Sequence, residues 1–253
     1  MQDAAHVVVP DWPAPACVRV FTTTRTLPGN SLPPYEAFNL GLRSGEDESI
    51  VRGNRALLAR AFALPSAPCW LRQVHGVGVA SFDAAASDEV EADAAVTSTP
   101  GVVLAIQTAD CLPIFFCSDD GREIAAVHAG WRGLAAGVIE ACVDQLKTPS
   151  ERLLAWLGPA IGAPSYEVSD EVRAAFVDRD SRAQKAFTPT RVGHWLCDLY
   201  TLARLRLSNA GIERSFGGGF DTFADARFYS YRRDGACSGR FASLIWIDAS
   251  SGK

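Results

Sequence analysis

The chain has 253 residues, with 24 basic and 29 acidic side chains and a formal net charge of −5. Hydrophobic residues make up 48% and charged residues 21%, enough apolar material for a sizeable core, which excludes intrinsic disorder; the 21 glycines show no triplet period, which excludes a collagen-like chain. A pI near 5.4 argues against a general nucleic-acid binder, and no apolar run approaches the ~18–20 residues of a membrane-spanning helix.

Met1-Gln-Asp-Ala-Ala-His6 has no basic residue ahead of an apolar segment, so no secretory leader is expected. The seven cysteines are odd in number and form no C-x-x-C pair, which suits reduced thiols in a cytoplasmic protein. Val18-Arg-Val-Phe21 alternates as a strand, and Leu27 to Pro34 reads as a surface loop. Residues 49–62 carry apolar positions at Ile50, Leu57, Leu58 and Ala61, a helix closed by Pro65. Strands are expected at 70–75, 77–82, 102–107, 113–117 and 123–128, the last two joined by Asp119-Asp-Gly121 as an antiparallel hairpin. Leu134, Val138, Cys142 and Leu146 recur every four residues and predict one helix of about three turns, ended by Pro149. A strand at 153–157, helices at 170–176 and 198–207, and a buried strand at 241–247 complete the pattern. Strands and helices in irregular order indicate an α+β fold in a single domain over residues 1–253.

Only four histidines are present, and two share a setting. His75 closes Leu71-Arg-Gln-Val-His75 before Gly76, and His128 closes Ile124-Ala-Ala-Val-His128 before Ala129-Gly130. A polar residue closing an apolar strand before a glycine turn sits at a sheet edge, where sites are assembled. Cys111 has the same design, after the apolar run 102–106. Two imidazoles and one thiolate offer Zn²⁺ three ligands and leave a fourth tetrahedral position for water or substrate. The spacings match no local finger pattern, so packing roles and a metal-free Cys111–His128 nucleophile and base pair stay open. His6 and His194 have no comparable context, and Cys117 and Cys142 fall on apolar faces as small hydrophobes. Ala129-Gly-Trp-Arg-Gly133 leads into a helix, where amides and Arg132 suit an anion, although a capped helix with an exposed arginine is the plainer reading. Arg55, Arg232, Arg233 and Arg240 become anion candidates only if the fold gathers them in one cleft.

Six segments occur in order: Asn39-Leu-Gly41, Arg72-Gln-Val-His-Gly76, Thr108-Ala-Asp-Cys-Leu-Pro113, Ala126-Val-His-Ala-Gly-Trp-Arg-Gly133, Gly158-Pro-Ala-Ile-Gly162 and Phe228-Tyr-Ser-Tyr-Arg-Arg-Asp-Gly235. With these the chain resembles the YfiH-type family, also labelled laccase-domain or polyphenol oxidase proteins, over residues 18–247. The resemblance implies mixed β-sheets layered with helices, distantly similar to the catalytic domain of cytotoxic necrotizing factors. It implies zinc held by His75, Cys111 and His128. It departs at Ala163-Pro-Ser165 and Asp221, where relatives often carry cysteines, so no second metal or redox role is expected there.

The activity the resemblance implies is zinc-dependent phosphorolysis of adenosine, inosine, guanosine and methylthioadenosine, with adenosine deamination. Purine nucleosides and phosphate are then the partners, with no nucleic acid and no membrane. Asp110, beside Cys111, is the candidate proton shuttle, Arg132 or Arg55 the candidate phosphate grip, and Gln73 and Asn39 candidate base or ribose contacts. One alternative is a Cys–His hydrolase or amidase acting on cell-wall precursors. The other is a copper-dependent polyphenol oxidase, disfavoured because four histidines cannot supply both a His₂Cys centre and a histidine-rich trinuclear cluster, although copper could enter the His₂Cys site in vitro.

Overall fold

The computed structural model describes residues 6–86 and 88–249; Met1–Ala5, on which the expectation of no leader rests, lie outside them. In chain order the elements are β1 (Val7–Val8), β2 (Val18–Thr23), α1 (Glu48–Ala61), β3 (Cys69–Arg72), β4 (Val79–Ser81), β5 (Val90–Glu91), β6 (Ala94–Thr97), β7 (Val103–Thr108), β8 (Leu112–Ser118) and β9 (Ile124–Ala129). They continue with α2 (Trp131–Ala136), α3 (Val138–Val143), β10 (Leu153–Leu157), β11 (Glu167–Ser169), α4 (Asp170–Val177), β12 (Phe187–Arg191), β13 (His194–Cys197), α5 (Leu199–Asn209), β14 (Ser215–Gly217), α6 (Tyr231–Asp234) and β15 (Phe241–Ile247).

The strands form two six-stranded mixed sheets and one three-stranded antiparallel sheet. The first sheet runs β1-β2-β15-β7-β3-β5, the second β14-β10-β8-β9-β6-β4, and the third β11-β13-β12. Alternation along β8 shows how they stack. Phe115 and Cys117 enter a core shared with Leu104, Ile106 and Ile245 of the first sheet. Leu112, Ile114 and Phe116 face the other way, onto Leu134, Ile139, Leu202 and Leu207 of α2, α3 and α5. The outer face of the first sheet, Phe21, Val103, Ala105 and Leu244, is covered by Leu58 of α1. The order of layers is helix, sheet, sheet, helices. A strand covered on both faces needs apolar residues at every position, which is why Leu112–Ser118 reads as a continuous run and is buried throughout.

The α+β class, the 119–121 hairpin and most expected elements hold, with β8 and β9 antiparallel and Cys117 opposite Ile124. Two expectations are corrected. The single helix over residues 134–146 is two short helices that start at Trp131 and break at Gly137, whose φ of +107° is left-handed. A Cβ at Gly137 would also sit 3.1 Å from Arg206 Nη2, which belongs to a guanidinium whose Nε is held by Glu140. The strand expected over 70–75 stops at Arg72, and His75 adopts a left-handed φ of +61° in the turn that follows. The third sheet gave no clear period in sequence because β12 is exposed along most of its length.

Gly137→Ala is expected to cost about 1–2 kcal/mol through the left-handed backbone alone, read as a melting temperature lower by a few degrees. An unchanged melting temperature would show that α2 and α3 can merge into one helix.

Candidate metal centre and cleft

The three expected ligands come from both large sheets. His75 follows β3 of the first sheet, Cys111 lies in the crossover from β7 of the first sheet to β8 of the second, and His128 lies in β9 opposite Pro113. Their donor atoms all lie within 4.8 Å of one another, and Cys111 Sγ is 3.7 Å from His75 Nε2. Donors around a tetrahedral zinc ion stand roughly 3.3–3.8 Å apart given the usual Zn–N and Zn–S lengths. The cluster therefore needs only a small closure to hold such an ion. Among the described residues it is the one group of three or more His, Cys, Asp or Glu side chains placed to do so.

The group that builds the cluster was not foreseen. Asp93, fully buried just before β6, accepts the amides of Val74, His75 and Gly76 at 3.2, 2.9 and 2.6 Å. It also accepts His128 Nδ1 at 2.8 Å. Four donors fill the acceptor positions of one carboxylate. The bond to Nδ1 holds one proton there, so Nε2 is the nitrogen that would face a metal once its own proton is lost, the carboxylate–histidine–metal arrangement that orients ligands in metal sites. Burial opposes the Asp93 charge, but His128 and the amides of Gly76 and Val74 outweigh it and hold the carboxyl below its usual range. The signal in sequence is weak, because Asp93 is only the last carboxylate of the acidic stretch Asp88-Glu-Val-Glu-Ala-Asp93 before the apolar run 94–96.

Gly130 closes the other side. A Cβ there would lie 2.7 Å from His75 Cδ2 and 3.1 Å from Cys111 Sγ, so only glycine leaves room for both ligands. Without metal the cluster polarises. Burial pushes the Cys111 thiol up, but His128 and His75 outweigh it and lower it to about 6. Burial likewise opposes charge on His128, yet Cys111 and Asp93 raise it to about 9. Cys111 is thus thiolate at neutral pH, the form a metal or an electrophile meets. Cys117 and Cys142 are fully buried, and burial pushes both thiols up, Cys117 to about 12, consistent with packing roles.

The cluster lines a cleft of about 490 Å³. Gln73, Asp110 and Arg132 line it as well, whereas Asn39 and Arg55 do not. Asp110, with a left-handed φ of +90°, accepts Thr222 Oγ1 at 2.7 Å, Ser230 Oγ at 3.0 Å and the Arg232 amide at 2.7 Å, which ties the Cys111 turn to α6. Gln73 pairs its side-chain amide with the Gln107 backbone in both directions. Arg132 stacks on Trp131 and has no carboxylate in ion-pairing range among the described residues. Arg55 is held by Glu89, Leu40 O and the Trp70 ring, so the expected phosphate grip does not fit its position. Asn39 is fully buried among Ser44, Glu46 and backbone amides, where a direct base or ribose contact does not fit either. Of the conditional arginines, Arg232 and Arg240 reach the cleft, while Arg233 turns to Asp234 and backbone carbonyls. Trp131, Tyr166 and Tyr231 give it aromatic walls that sequence patterning did not single out. The other histidines stand apart, His6 bonded to Thr26 and His194 to Val192 O.

Asp93→Asn is expected to weaken zinc binding about 10- to 100-fold in a competition titration with a chromophoric chelator. Gly130→Ala is expected to lower bound zinc per chain with the far-UV circular dichroism unchanged. Zinc affinity at the wild-type level in both variants would mean that the three donors do not meet at one ion.

The whole of this geometry has relatives. Residues 19–248 match the family model described as multi-copper polyphenol oxidoreductase laccase. A protein of Xylella fastidiosa named purine nucleoside phosphorylase is 52% identical over 95% of this chain and 96% of its own. The Escherichia coli protein named purine nucleoside phosphorylase YfiH is 47% identical over 96% of this chain and 99% of its own. A crystal structure from Neisseria meningitidis superposes with a TM-score of 0.92 at 42% identity, covering 96% of this chain and all of that one. The chain therefore belongs to the multi-copper polyphenol oxidoreductase laccase family, on a match that spans both large sheets and the His75, Cys111 and His128 cluster.

Proposed function

We propose that this protein is a zinc-dependent purine nucleoside phosphorylase acting on adenosine, inosine, guanosine and methylthioadenosine, with adenosine deaminase activity at the same site. The observation that carries the reading is the meeting of His75, Cys111 and His128 on the wall of a cleft that also holds arginines and flat aromatic rings. A cleft of about 490 Å³ is in the size range of small-molecule sites. The relatives named purine nucleoside phosphorylase support the coarser part of the reading, a purine nucleoside and phosphate as substrates.

Trp131, Tyr166 and Tyr231 offer faces on which a purine can stack. The Thr108 hydroxyl, buried in the wall without a partner among the described residues, suits a polar atom of the nucleoside. In phosphorolysis a phosphate oxygen bonds to C1′ as the C1′–N9 bond breaks, and the base leaves with the electron pair and takes a proton. The guanidiniums hold the phosphate against C1′ as the sugar gains oxocarbenium character, which converts a bimolecular step into an oriented one. Zinc, when bound by His75, Cys111 and His128, supplies the Lewis acidity that hydrolytic loss of ammonia from adenine C6 requires. Asp110 keeps one acceptor position on Oδ1 beyond its three structural bonds, and there it serves as the proton carrier.

A second reading has one observation in its favour. The thiolate of Cys111 beside a protonated His128 is the polarised pair of a cysteine hydrolase or amidase, for which cell-wall precursors are the proposed substrates.

Zinc-loaded protein is expected to release hypoxanthine from inosine only when phosphate is present. Chelation, His75→Ala or Cys111→Ala should reduce that release to background while the chain stays folded. Release that ignores phosphate would overturn phosphorolysis. Activity that survives chelation, with a trappable thioester on Cys111, would favour the hydrolase.

A further inference from the structure

The motif Asn39-Leu40-Gly41 has no place in the reading so far, and the structure puts it directly behind Arg240. Asn39 Oδ1 accepts the backbone amides of Arg240 at 2.8 Å and Gly41 at 3.0 Å. The Leu40 amide donates to Arg240 O at 3.0 Å. A Cβ at Gly41 would lie 2.6 Å from Arg240 Cγ, so the glycine is what lets the arginine stem lie flat. Asn39 is itself locked, its Nδ2 donating to Ser44 Oγ and Glu46 Oε2. The motif thus grips the backbone of one arginine from both sides and leaves a slot for its side chain.

That arginine differs from the others near the cleft. Arg43 and Arg55 share the carboxylate of Glu89. Arg132 and Arg232 are exposed and stack on Trp131 and Tyr166. Arg240 is half-buried in the cleft wall, and its Nη1 donates to the carbonyls of Ser238 and Gly239 at 2.7 and 2.9 Å. Nε and Nη2 make no hydrogen bond among the described residues, and no carboxylate lies within ion-pairing distance. Asp110, the carboxylate that shares this wall, is bonded to Thr222, Ser230 and the Arg232 amide instead. Cys111 and Asp110 are the negative groups nearest in effect, but neither pairs with it directly, so this partly desolvated cation is incompletely compensated and an incoming anion relieves that cost. A planar guanidinium with its stem fixed loses little freedom when it forms two parallel bonds to phosphate oxygens.

We propose that Arg240 anchors inorganic phosphate in this cleft and that Asn39-Leu40-Gly41 is the frame that aims it. The catalytic arm rests on the phosphorylase reading; the binding arm does not. Inorganic phosphate is titrated into zinc-loaded wild-type, Arg240→Gln, Arg240→Lys and Arg132→Gln proteins and followed by calorimetry. KM for phosphate, KM for inosine and kcat are then measured on the same proteins and on Gly41→Ala. Arg240→Gln is expected to weaken phosphate binding about 10- to 100-fold and to raise KM for phosphate in proportion, with KM for inosine little changed. Arg240→Lys should restore part of the loss. Gly41→Ala, which keeps every charge, should raise KM for phosphate by displacing the guanidinium, a split that general destabilisation would not produce. Wild-type protein that binds no phosphate, or Arg240→Gln that binds it normally, would overturn the assignment. Loss confined to Arg132→Gln would overturn it as well. Phosphate binding lost in Arg240→Gln, in a protein whose base release ignores phosphate, would uphold the anchor and refute the phosphorylase reading instead.

Discussion

One carboxylate organises the centre of this molecule. Asp93 is excluded from water, and its two oxygens are saturated by the amides of residues 74–76 and by His128 Nδ1. The turn follows β3 as the chain leaves the first sheet for the second, and the imidazole stands on β9 of the second, so a single buried anion sets the distance between two ligands that arrive on different elements. The left-handed backbone of His75 is held open by these same bonds. Such strain persists only where its surroundings over-determine it, and here they do so at the site. Both the imidazole orientation and the turn geometry follow from where that carboxylate sits.

Much of this was legible from residue order. Leu112 to Cys117 is apolar at every position because both its faces are covered, and a run of that kind reads as a buried strand without further information. His128 closes such a run, and His75 and Cys111 follow shortly after strand-like segments, where a layered fold brings distant residues together. What could not be read was the partner of each polar group. Arg55 and Arg240 look alike as letters, yet one is neutralised by Glu89 and the other meets carbonyls and the Tyr231 ring with no carboxylate in ion-pairing range among the described residues. Asn39 looked available to a ligand because sequence does not report that its oxygen is spent on two backbone amides. Gly137 was hidden for a related reason: a four-residue apolar period continues across it, and the period carries no information about a left-handed link.

The family description names multicopper chemistry, and the side chains present bear on it directly. A multicopper oxidase needs a His₂Cys centre and a separate cluster rich in histidine. Here His6 and His194 are bonded elsewhere, and among the described residues the remaining two join one cysteine in one group. That group offers three donors and a fourth corner open to the cleft, the layout of a catalytic mononuclear site. No helix in the described residues is long and apolar enough to cross a membrane.

The crossover from β7 to β8 has a thermodynamic consequence. Because Cys111 lies on the only covalent step between its two flanking strands, and its companions lie one on each layer, an ion seated among them acts as a rivet through the sandwich. Occupancy and cohesion of the two sheets are then linked by mass action, each reinforcing the other as free ion rises above its dissociation constant.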